Sequence, residues 1–175
     1  VGSEMCIRDR YVTVCDRNYI RFFVGDTRVV DTLGDNGREL EKISRLMHQI
    51  IEQEEFYVDT ITLTASSSPE GRYAFNERLS RGRAEALKRY LVRHYGRGID
   101  TLLTVRWVAE AWPELMNRIR TDPVLTNREA ILELLSAERN PDRRERLLRE
   151  RFPWEYAYLK EVIYPQLRTV DFRYN

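Results

Sequence analysis

The chain has 175 residues, of which 42% are hydrophobic and 33% charged, with a formal net charge of +1. This suits one domain with room for an insert, long enough to bury a core without disulfides or a metal. It excludes a disordered chain and a bilayer-spanning helix, since the longest uncharged run is only Thr60 to Pro69, and it provides no global field for nucleic acid.

Residues Val1 to Asp9 resemble the translation of a transposase-type sequencing adapter, so residues 1–10 are set aside from fold reasoning. Without Cys6 only Cys15 remains. No intrachain disulfide is expected, and Cys15 reads as a small buried residue. The native start is expected upstream.

Ile20, Phe22 and Val24 alternate as a strand closed by Gly25-Asp26. A helix follows from about Gly37 to Glu55, with Leu40, Ile43, Leu46, Met47, Ile50 and Ile51 on one face and Asp35 or Asn36 as its cap. Val58 to Ala65 reads as a second strand that puts Ile61, Leu63 and Ala65 on one side. Ser66 to Gly71 is a turn by composition. A second helix runs from about Tyr73 to His94, with Leu79, Ala86, Leu87, Tyr90 and Leu91 as its stripe and Gly96 and Gly98 at its end. Leu103, Val105 and Trp107 make a third strand.

Residues 110–166 carry no strand signal. Helices are expected at Trp112 to Arg120, Asn127 to Ala137, Pro141 to Arg151 (capped by Asn140) and Trp154 to Ile163. Val170, Phe172 and Tyr174 close the chain as a fourth strand, which suggests a helical stretch inserted between two neighbouring strands. Asp142–Arg146 and Glu145–Arg149 are favourable i, i+4 pairs, and the run from Arg143 to Arg146 reads as a solvated helix face. Trp107, Trp112, Trp154, Tyr156 and Tyr158 are expected to pack the insert onto the sheet. His48 and His94 lie on separate helices without partners at metal-ligand spacing, so structural roles are expected for both and no metal.

The segment Thr64-Ala65-Ser66-Ser67-Ser68-Pro69-Glu70-Gly71, followed by Tyr73-Ala74-Phe75-Asn76, Leu79-Ser80 and Arg83-Ala84, resembles the OmpA-like family. This is the C-terminal domain of outer membrane protein A, shared with peptidoglycan-associated lipoproteins and flagellar stator proteins. The family pattern is G-H-T-D-x-x-G, an aromatic-Asn pair, then L-S-x-x-R-A. Arg168 to Phe172 resembles its closing R-x-V-E-hydrophobic segment. The chain departs from the pattern where Ser68 stands at the family's Asp position, and where Val108 to Pro113 replaces a Gly-rich segment.

The elements and the resemblance together predict an α/β (α+β) two-layer sandwich. It has a mixed, roughly four-stranded sheet formed by residues 11–109 and 167–175, with residues 110–166 as a helical insertion before the last strand. The resemblance implies a noncovalent peptidoglycan-binding module in the periplasm, tethered to the outer membrane through upstream sequence. Its partner would be the diaminopimelate-type stem peptide, gripped by Arg83, Asn76, Ser68, Ser67, Glu70 and Gly71.

Asn76, Ser80 and Arg83 share a helix face, and the helix N-terminus beside them favours an anion. Glu70 is the candidate replacement for the missing Asp. Without one, loss of a charge-assisted bond weakens the site roughly 10- to 100-fold. The alternative is a scaffold that keeps this fold, has lost the ligand, and serves assembly of envelope or surface-appendage proteins. No catalytic arrangement stands out, so no enzyme and no cofactor are expected, nor a nucleic-acid partner.

Overall fold

A computed structural model describes residues 4–8, 11–15, 18–52 and 58–174. Strands β1 (Glu4–Arg8) and β2 (Tyr11–Cys15) form an antiparallel hairpin. The side chains of Cys6 and Cys15 lie outside the described part.

The main sheet contains β3 (Asn18–Arg21), β4 (Ile61–Ser66), β5 (Leu103–Val108) and β6 (Thr169–Tyr174), in the order β3-β6-β4-β5. The β4/β5 pair is parallel, and β6 runs antiparallel to both β3 and β4. Helices α1 (Asn36–Glu52) and α2 (Tyr73–Tyr95) bury Ile43, Met47, Ala84, Leu87 and Leu91 in one core with the sheet. The chain is therefore a mixed α+β protein around a four-stranded mixed sheet.

Period-two patterning decides which face of the sheet goes inside. Ile61, Leu63 and Ala65 are fully buried, and Val170 and Phe172 meet them from β6. Ile61, Leu63, Val170 and Phe172, so buried, each contribute about 1.5–3 kcal/mol before entropy is counted. Thr64, Thr169, Asp171 and Arg173 alternate with them and line the opposite face.

Several expectations are corrected. The first strand ends at Arg21, and Val24 is 65% exposed, because the chain turns away at Gly25, whose φ of +66° suits glycine. Asn36 does not cap α1. Its Oδ1 accepts from the Arg21 N–H (2.8 Å), and its Nδ2 donates to the Arg21 and Val30 carbonyls (2.9 and 2.8 Å), tying the helix start to the strand end. The expected end of α1 at Glu55 falls outside the described residues. The insert does not connect neighbouring strands. β4 lies between β5 and β6, because β6 enters the centre of the sheet and leaves β5 at an edge.

The insert comprises α3 (Trp112–Thr121), α4 (Arg128–Ala137), α5 (Pro141–Arg151) and α6 (Pro153–Tyr158). A π-turn over Leu159–Ile163 and a 3-10 turn over Tyr164–Leu167 lead into β6. Asn140 caps α5 as expected, its side chain accepting from the Arg143 N–H at 3.0 Å.

These helices enclose a second core of their own, built around Leu115, Ile119, Ile131, Leu135, Leu148 and Leu159. Trp112 and Tyr156 pack there rather than onto the sheet. Trp154 is 86% exposed, and Trp107 stays on β5 under the Arg81 guanidinium. α5 is not solvated throughout: Glu145 is buried, although it does face Arg149 at 3.5 Å as its spacing suggested. His94 stacks on Tyr90 and His48 is exposed. Among the described residues, no helix is long and apolar enough to cross a membrane.

Candidate functional site

The candidate residues converge where the β4–α2 turn meets the start of α2. Gly71 has a φ of +79°, a left-handed conformation that lets the turn reverse into the helix. From there Asn76, Ser80 and Arg83 follow one another down the buried face of α2, as their i, i+4, i+7 spacing requires.

Arg83 lies at the bottom of this row with no exposed surface. Its Nε donates to the Asp26 carbonyl (3.0 Å) and its Nη2 to the Phe23 carbonyl (3.0 Å). Its Nη1 donates to the Ser66 carbonyl (3.3 Å) and the Ser67 hydroxyl (3.2 Å). The guanidinium sits over the Phe22 ring, 5.4 Å from its centroid. Burial pulls its pKa down to about 10; the nearby Arg168 charge adds to the effect and the Asp26 carboxylate opposes it. Arg83 therefore stays charged at neutral pH, solvated by backbone carbonyls. The sequence suggested a cation open to a ligand carboxylate. The structure instead places a clamp between the loop after β3 and the end of β4.

The other candidates are equally engaged. The Asn76 Nδ2 donates to the Glu70 carbonyl (2.8 Å) and to Glu110 Oε2 (2.6 Å). The Ser67 and Ser80 hydroxyls are 2.7 Å apart, and Ser80 also donates to the Ala109 carbonyl (3.2 Å). The Ser68 hydroxyl donates to Glu70 Oε1 (3.2 Å) and accepts from Arg168 Nε (3.1 Å). Glu70 pairs with the Arg168 guanidinium. The carboxylate expected to replace the family's Asp is thus neutralised by an arginine from the same chain.

Sequence reasoning missed three residues that close this place. Glu110, 4% exposed, accepts from Asn76 and from Trp112 Nε1 (2.9 Å). Burial pushes its pKa up; these two donors resist the shift, and the charges of Asp142 and Glu145 add to it. Asp142, at the start of α5, accepts the Tyr73 backbone N–H at 2.8 Å. It thereby fills the helix N-terminus where an anion was expected. Arg168 holds Ser68 and Glu70 from just before β6.

For Glu110 a signal existed, since it lies in Val108 to Pro113, where the sequence departs from the pattern it resembles. Asp142 had none, because its local spacing pointed to Arg146 instead. Taken together, backbone carbonyls and a hydroxyl occupy Arg83, and internal acids occupy Asn76 and the start of α2. No protein-family model and no curated protein matches this chain.

Proposed function

We propose that the chain is an OmpA-like module of the bacterial envelope whose wall-ligand pocket is filled from within. It serves as a noncatalytic scaffold for assembly of envelope or surface-appendage proteins. The order strand, helix, strand, helix, strand and closing strand supports the family resemblance, as does the shared face of Asn76, Ser80 and Arg83. The observation that carries the loss of the ligand is Arg83: fully buried, with its donors directed at three carbonyls and a hydroxyl. A ligand carboxylate would have to displace these acceptors to reach a guanidinium that has no exposed surface. Asp142 and Glu110 act as stand-ins for the ligand and join the insert to the sheet domain. In this reading the module lies in the periplasm, associated with the outer membrane.

Sedimentation with purified peptidoglycan sacculi tests the proposal. The protein is expected to stay in the supernatant at physiological salt. Pelleting with sacculi that free diaminopimelate reverses would overturn the scaffold reading and restore the wall anchor predicted from the motif.

A further inference from the structure

The face of the sheet turned away from α1 and α2 carries a cavity of about 510 Å³. Its floor is the outward row of the strands, where Arg21 stands opposite Thr169 and Thr64 opposite Asp171. Its wall is the insert, through Pro113, Glu114 and Arg118 of α3 and through Gln166. The cavity thus exists only because the insert rises beside the sheet, and it is separate from the closed place around Arg83.

Three guanidiniums and two carboxylates line it. Each carboxylate has an ion-pair partner: Arg173 Nε lies 2.6 Å from Asp171 Oδ2, and Arg118 Nε lies 2.9 Å from Glu114 Oε1. The other oxygen of Asp171 is buried and has no hydrogen-bond partner among the described residues. Arg118 also donates to Gln166. Arg21 makes no side-chain hydrogen bond or ion pair among the described residues. Its backbone is held at both N–H and carbonyl by Asn36, and the end of its side chain lies beside Gly34. The Thr64 and Thr169 hydroxyls make no hydrogen bond among the described residues. Val108, Ala111 and Leu167 add apolar surface.

A guanidinium with no internal partner among the described residues, beside unused hydroxyls and an apolar wall, suits an oxyanion on a small apolar body. We propose that this cavity binds a small organic anion, with its carboxylate or phosphate on Arg21 and Thr169 and its apolar part against the insert. The inference does not depend on the family resemblance or on the state of the Arg83 pocket.

Titrations of the whole chain with benzoate, phenyl phosphate and the neutral benzyl alcohol, followed by amide chemical shifts, test it. Both anions are expected to move the amides of Thr64, Thr169 and Gln166, with the tighter one identifying the preferred oxyanion. Arg21→Gln is expected to weaken them roughly 10- to 100-fold, as loss of a charge-assisted contact does. Thr169→Val, which keeps the β-branched shape, is expected to weaken them by a smaller factor and serves if Arg21→Gln does not fold. The proposal is overturned by an equal response to benzyl alcohol, by undiminished binding in both variants, or by no response to either anion.

Discussion

The two halves of the molecule each bury charge, and they do so with opposite partners. In the sheet half the buried charge is a cation, Arg83, and what surrounds it is backbone carbonyl. In the insert and its junction the buried charges among the described residues are the acids Glu110, Glu145 and Glu155, met by side-chain donors from Asn76, Trp112, Tyr156, Thr126 and Asn127. The contrast follows from the local chain. Loops that leave strand ends present unpaired carbonyls, which suit a forked guanidinium. Packed helices have spent their backbone groups internally, so an acid among them needs indole, hydroxyl or amide donors. The first arrangement joins the loop after β3 to α2 and the end of β4, whereas the second joins the insert to itself and to α2.

If that contrast is correct, Arg83→Ala carries the largest cost. It leaves a cavity and several orphaned acceptors, and about 4 kcal/mol of stability is expected to be lost in urea denaturation. A cost below about 1 kcal/mol would mean that the carbonyls are satisfied some other way. Tyr156→Phe removes the 2.6 Å bond to buried Glu145 and is expected to cost about 2 kcal/mol, read from the same titration. Asp142→Ala uncaps α2 and is expected to cost about 0.5–1 kcal/mol, with faster amide exchange at Tyr73 as the local sign.

The subtlest test uses pH. Glu110 keeps its proton to a higher pH in the folded chain than in the unfolded one. Between those two values the folded state binds more protons, so this group's contribution declines as pH rises. Stability measured against pH for the native chain minus that for Glu110→Gln should therefore fall from the ordinary carboxyl range upward. A flat difference would show that Asn76 and Trp112 fully offset the burial.

Much of the sheet half was legible in the sequence. Ile61, Leu63 and Ala65 announced their strand by alternation, and the 3.6-residue period of Ile43, Leu46, Met47 and Ile50 announced α1. The Asn140 cap was readable because capping is local. The site was legible only as a row on one helix face. Its state was not, since a guanidinium at Arg83 has the same residue identity whether it meets a ligand or a carbonyl. Its partners at Phe23 and Asp26 lie some 60 positions away along the chain.

Local periodicity and turn chemistry thus determined by themselves the four strands of the main sheet, the two long helices, the helical nature of residues 112–151 and the shared face of Asn76, Ser80 and Arg83, but not the hairpin of β1 and β2. Tertiary structure alone decided that β6 lies inside the sheet, that the insert forms a separate core, and that Asp142, Glu110 and Arg168 close the candidate pocket. These are contacts between residues far apart in the chain. They depend on which surfaces burial brings together, and no short window of sequence holds both partners.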